Sequence, residues 1–195
     1  GDLKYAPKAL ERRATVRRHL LQDDLALADM RLYREKYPQG EETASVSRYL
    51  QFAAMNGQPA PVLDAEAWVQ GGPHSIEKLR GRVVGVYFFA TWCEPCREEL
   101  PALNRLVARS DPRQLRVVTI SVAEVDVRVR NFAEKLPVNF PILLDRDRSV
   151  AKAWKVSALP TSFILDRDLK PRLFVERDYD WDRVDVPQLL KSIGE

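Results

Sequence analysis

Cys93 and Cys96 are the chain's two cysteines, and both stand in "YFFATWCEPCREELPAL", residues 87 to 103. With only Glu94 and Pro95 between them, they are too close in sequence to tie distant parts of a fold together. They cannot supply a four-ligand zinc site unaided, and the two histidines, His19 and His74, lie far from them in the sequence. A redox centre, an inert local disulfide and two unconnected thiols remain as readings. The surroundings favour the redox centre. Cys93 falls where an apolar run ends and a helix begins, and there unpaired backbone N–H groups and the helix dipole favour a thiolate. Its pKa is expected below the free value of about 8.5. Pro95 suits a first helical turn, where its missing N–H costs nothing. Cys96 sits one turn on, so the pair can close a disulfide after little motion and be reopened by an outside thiolate. Trp92, read as a partly buried aromatic, offers an apolar shelf beside the attacking sulfur.

The elements that must hold this pair alternate. "RVVGVYFFA", residues 82 to 90, is a near-continuous apolar run, as a buried parallel strand would be. "PCREELPALNRLVARS" follows as a helix with Leu100, Leu103, Leu106 and Val107 on one face. "LRVVTISVA" reads as a strand, "DVRVRNFAEKL" as a helix, "FPILLD" as a short strand and "SVAKAWKV" as a helix. "TSFILD" and "PRLFVE" are two strands joined by "RDLK", and "VPQLLKSI" closes the chain as a helix. This order predicts an α/β domain whose sheet is covered by helices.

The first 56 residues have a different texture. Ala9 to Tyr37 is rich in helix formers, with Leu20, Leu21, Leu25, Ala28, Leu32 and Tyr33 near helical spacing. "PQG" at 38–40 breaks the pattern, and a second one places Val46, Tyr49, Leu50 and Ala53 on one side. The expectation is a helical hairpin, loosely resembling a single tetratricopeptide unit, whose apolar positions are too many to leave in water. Arg12, Arg13, Arg17 and Arg18 read as a solvated face near Glu11, Asp23 and Asp24 rather than as an anion-docking patch. "NGQPAP", residues 56–61, is a linker, because Gly57 caps a helix and Pro59 and Pro61 stop it. The predicted division is therefore 1–56, a helical region for docking or oligomerisation, and 57–195, the redox domain.

With 45% hydrophobic and 30% charged residues, the chain is long enough to bury a substantial core. Its 31 basic residues against 28 acidic ones leave a net charge of +3, too weak a bias to argue for nucleic acid or an anionic membrane. No stretch reaches the roughly 18 apolar residues of a membrane-crossing helix. The chain begins at Gly1 without methionine, as a trimmed chain would, so the lack of a leader or N-terminal anchor in it says nothing about compartment.

"WCEPC" after a buried strand, with Pro101 five residues beyond Cys96, resembles a thioredoxin-fold active site. "VSALPTSFIL", residues 156–165, matches the family's later segment, in which Pro160 would be a cis-proline packed opposite the cysteines. The long interval between Cys93 and Pro160, the lead-in "GQPAPVLD" and the phrase "SIEKLRGRVVGVYFFATWC" are similar to the TlpA and ResA branch. That branch comprises extracytoplasmic thiol-disulfide reductases, periplasmic or membrane-anchored. The resemblance covers about residue 57 to 195. It implies a thioredoxin-like central mixed sheet flanked by helices, with the helical N-terminus as an extension.

The resemblance also assigns roles. Cys93 becomes the exposed nucleophile and Cys96 the buried resolving thiol. Trp92, Glu94, Pro95, Leu159, Pro160 and Thr161 become client-binding residues, with Glu94 tuning potential and partner choice. Thioredoxin's buried aspartate is replaced by Tyr87. A glutamate three residues past the second cysteine, matched by Glu99, would instead take the proton of Cys96. A partly buried carboxylate there should have a raised pKa and could accept that proton; the rival reading, a solvent-facing helix glutamate, describes Glu98 better than Glu99. No metal or organic cofactor is implied. The expected partners are a client protein with a disulfide, in cytochrome c or copper-site maturation, and a membrane redox donor. An oxidase or isomerase would run the same chemistry in another direction. A partner- or copper-binding adaptor is disfavoured, because neither histidine falls where related copper carriers place theirs. A peroxidase is weaker still, since peroxidatic cysteines usually lack so near a partner.

Overall fold

The apolar run ahead of the cysteines becomes strand β2, Val83–Phe89, buried at every position. The computed structural model describes residues 6–20, 22–63, 67–72, 75–136, 138–176 and 179–193. Within them the chain forms two compact units, Gly1–Met55 and Asn56–Glu195.

In the larger unit the order is β1 (Ala67–Gln70), β2, α4 (Glu94–Ala108), β3 (Leu115–Val122), α5 (Asp126–Lys135), β4 (Ile142–Asp145), α6 (Ser149–Ala153), β5 (Thr161–Leu165), β6 (Pro171–Glu176) and α7 (Val186–Ile193). Single 3-10 turns lie at Ile76–Leu79 and Trp181–Arg183. Six strands form one mixed sheet in the order β1-β4-β3-β2-β5-β6. β2, β3 and β4 run parallel, while β1, β5 and β6 are laid on antiparallel. β2 is apolar throughout, and β3 is buried at every position but Arg116, because both lie inside the sheet with cover on both faces. Leu100, Leu103 and Leu106 of α4 are buried as their spacing predicts, whereas Val107 is only half-buried. β1 has no counterpart in the sequence reading: it is four residues long, at the sheet edge, and irregular between Trp68 and Gln70. His74 lies outside the described residues.

The smaller unit corrects the expected hairpin. The stretch read as one helix from Ala9 to Tyr37 is two, α1 (Ala6–His19) and α2 (Asp23–Lys36), followed by α3 (Thr43–Ala53). The buried face of α2 is Ala26, Met30 and Tyr33, with Ala14 from α1 and Val46, Tyr49 and Phe52 from α3. Leu20 and Leu25 are exposed and Leu32 and Leu50 only half-buried, while Leu21 lies outside the described residues. The arginine group is reassigned in part: Arg12 is exposed, as a solvated face requires, while the other three make specific contacts. Arg13 donates two hydrogen bonds to Asp29 at 2.9 and 2.7 Å, and Arg17 donates a third at 2.7 Å. Arg18 lies over the Tyr49 ring, 4.6 Å from its centroid. These cations hold α1 against α2 and α3; they are not a free face. Gly40 is required by close approach, because a Cβ there would clash with the Tyr33 hydroxyl.

Candidate active site

At the end of β2 the chain turns through Ala90–Cys93, closed by the Cys93 N–H donating to the Ala90 carbonyl at 3.0 Å. Cys93 caps α4, and its Sγ accepts from the Cys96 N–H at 3.3 Å. Cys93 and Cys96 are joined as a disulfide, with their Cα atoms 5.3 Å apart. Cys93 keeps 5% of its surface exposed and Cys96 none, so this form offers little of the open sulfur expected at Cys93. Trp92 is 65% exposed, not the partly buried aromatic of the sequence reading. Glu94 is exposed as well, and Pro95 half-buried.

The register of the sheet brings the second motif to the pair. β5 runs antiparallel to β2 with Phe88 opposite Thr161, so the residues just before Thr161 and just after Phe89 emerge at the same end of adjacent strands. The Leu159–Pro160 bond there is cis. Pro160 and Thr161 are buried, and Thr161 Oγ1 donates to the Ala158 carbonyl at 2.8 Å.

Beneath the pair lies Tyr87, 1% exposed, in the place where thioredoxins carry an acid. Its hydroxyl reaches the Cys96 carbonyl at 3.3 Å and Glu99 Oε2 at 3.4 Å, and its single proton serves one acceptor at a time. Burial, and then the neighbouring Glu99 charge, push the phenol's pKa far above its ordinary value. Tyr87 therefore stays protonated and cannot receive the Cys96 proton.

Glu99 is half-buried, while its neighbour Glu98 is exposed. Besides Tyr87 it accepts a hydrogen bond from Trp181 Nε1 at 3.3 Å. Trp181 is a residue the sequence reading missed. It arrives from the 3-10 turn near the end of the chain, which is clasped to α4. Arg105 makes two bonds to the Asp182 carboxylate at 2.8 and 2.7 Å, and Arg109 donates to the carbonyls of Trp181, Asp182 and Val184. Among the described residues no group of three or more His, Cys, Asp or Glu is placed to hold a metal ion.

A family model described as AhpC/TSA matches residues 56–172, more than half of the chain. The chain belongs to the AhpC/TSA family. Within it, the thiol-disulfide oxidoreductase ResA of Geobacillus thermodenitrificans is 32% identical over 125 residues, which span 64% of this chain and 71% of that protein. The ResA of Bacillus subtilis is 37% identical over 95 residues, 49% of this chain and only 53% of the relative. Among solved structures, a thioredoxin-family thiol:disulfide interchange protein from Chlorobium tepidum aligns with a TM-score of 0.56 and 28% identity, over 64% of this chain and 91% of that one. A thiol-disulfide isomerase from Corynebacterium glutamicum, at 24% identity and TM-score 0.60 over 69% of this chain and 96% of that one, speaks to the fold alone. This AhpC/TSA member is a thiol-disulfide oxidoreductase of the ResA type on a thioredoxin-like fold.

Proposed function

We propose that this oxidoreductase works as a reductase of disulfides in extracytoplasmic client proteins, through Cys93 and Cys96. The observation that carries the reading is the Cys93–Cys96 disulfide at the start of α4, beside the cis Leu159–Pro160 bond. In the reduced enzyme the Cys93 thiolate attacks one sulfur of the client disulfide, forming a mixed disulfide and releasing the other client sulfur as a thiolate. Cys96, losing its proton to Glu99, then attacks Cys93 Sγ. The client leaves with both its thiols, two electrons richer, and the enzyme holds the Cys93–Cys96 bond. An external dithiol, expected on a membrane donor, restores the reduced pair.

Trp92, Glu94, Pro95 and the Leu159–Pro160–Thr161 backbone would hold the client chain as an added strand. The clients that fit this reading are apocytochrome c or copper-site cysteines. The helical unit would serve docking or self-association. No helix among the described residues is long and apolar enough to cross a membrane. An extracytoplasmic setting rests on the likeness to the TlpA and ResA branch.

Replacing Cys96 with serine should trap mixed disulfides between Cys93 and client, visible as reducible adducts on non-reducing gels. Cys93→Ser should trap none. Adducts formed by the Cys93 variant alone would reverse the two roles. The reduction potential of the pair decides the direction, and a value well above that of thioredoxin would point to an oxidase.

A further inference from the structure

The turn that carries Cys93 is held from an unexpected quarter. Just past β3, Ala123 takes a left-handed backbone at φ 60°, a conformation that L-residues other than asparagine and aspartate seldom adopt. Its N–H is fixed to the Asp145 carbonyl at 2.8 Å. Glu124, the next residue, is only 4% exposed. Its Oε2 accepts from the Thr91 N–H at 2.7 Å and from Ser121 Oγ at 2.8 Å, and its Oε1 accepts a short bond from Thr91 Oγ1.

Thr91 lies inside the Ala90–Cys93 turn, two residues before the sulfur-bearing position. Buried carboxylates are costly unless fully hydrogen-bonded, and usually a cation faces them. Among the described residues the partners of Glu124 are two hydroxyls and one backbone N–H. Strained backbone kept beside an active site points to a role for what it places.

We propose that Glu124 is a positioning residue for the redox pair: through Thr91 it fixes the turn bearing Cys93, and its charge makes the pair more strongly reducing. This rests on Cys93 and Cys96 being the redox couple and Cys93 the attacking thiol. Two effects act in the same direction. The two bonds from Thr91, with the bond from Ser121 of β3 fixing the carboxylate that receives them, hold the turn in the geometry seen with the disulfide closed, favouring the oxidised form. A negative charge close to the turn opposes the Cys93 thiolate, disfavouring the reduced form. Removing the charge and loosening the turn should therefore each make the pair easier to reduce.

The test is equilibration of the full chain with glutathione buffers, in which two glutathione thiols reduce the Cys93–Cys96 bond and leave as one glutathione disulfide. Glu124→Gln should shift the equilibrium toward the dithiol about tenfold, a potential roughly 30 mV less negative. Denaturant unfolding should show its oxidised form losing more stability than its reduced form. Thr91→Val, which deletes one of the three donors, should shift the potential the same way by less, and Thr91→Ser, which keeps the hydroxyl, should restore it. If Glu124→Gln does not fold, the Thr91 pair reads the same contact. Unchanged potentials, with both redox forms equally destabilised, would make Glu124 a buttress of the fold and overturn the proposal. A wild-type pair that never exchanges with glutathione overturns the redox reading itself, and this inference with it.

Discussion

Cys96 must lose a proton in a nearly dry place, and the residues around it divide that work. Tyr87 occupies the position of the usual acid, yet its raised pKa keeps it a donor. Glu99, bonded by both Tyr87 and Trp181, is the acceptor we propose. Glu99→Gln should slow disulfide reduction at neutral pH on the order of 100-fold and change the shape of its pH profile, with little effect on stability. Trp181→Phe keeps the ring packing and deletes the N–H, so it should shift the same profile by a smaller amount and cost about 1 kcal/mol of stability. Profiles of both variants that overlay the parent's, measured by stopped-flow reduction of a small disulfide, would leave Glu99 as a helix-surface residue. Glu99 was readable because it sits one turn beyond Cys96 in a local motif. Trp181 was not, since it meets Glu99 only through a C-terminal turn clasped by Arg105 and Arg109, and no periodicity marks such a contact.

At the scale of elements, the strands and helices of the redox unit were legible because each carries a clean period and a turn at its ends. β1 escaped because four irregular edge residues carry no period. The break between α1 and α2 escaped because "HLLQDD" contains neither glycine nor proline, although an acidic pair is itself a helix-start signal. Asp29 ties α2 to α1 through Arg13 and Arg17, beside the buried apolar side chains of Ala14, Ala26, Met30 and Tyr33, and a pairing so distant in sequence is invisible to a hydrophobic pattern. The hydrogen bond from Arg13, helped by the charges of both arginines, holds the Asp29 carboxyl below its usual pKa against the opposing effect of burial. A carboxylate whose native pKa is lowered stabilises fully above its unfolded value, near 3.9, and loses that contribution as pH falls through the native value. Asp29→Asn should therefore destabilise the helical unit by about 1–3 kcal/mol at pH 7. The gap between variant and parent should close as pH falls through that lowered native value. A gap independent of pH, in denaturant titrations followed by circular dichroism, would mean the loss is one of packing rather than of charge.

For the whole molecule the question is what the helical unit adds to the unit that holds both cysteines. Val16, Leu20 and Leu25 are 55%, 60% and 49% exposed, clustered in sequence about the α1–α2 bend. Large aliphatic side chains left in water at one bend favour a partner surface over a purely structural role. Within the linker itself the chain is already tied to the redox unit: the Gly57 N–H donates to the Pro171 carbonyl at 3.0 Å and the Ala60 N–H to that of Leu169 at 3.1 Å. A chain starting at Gln58 keeps the second of these bonds, every strand and both cysteines. It should reduce insulin's disulfides as the full chain does. Toward its natural client it should lose on the order of tenfold in efficiency, about 1.4 kcal/mol of docking energy. If instead the unit binds a second copy, sedimentation will show the full chain as a dimer and the shortened one as a monomer. Loss of cysteine reactivity in a still-folded truncation would place the helices in the active site and end this division of labour. An unfolded product would mean that residues 1–56 are part of the core and that the linker at 56–61 is no boundary.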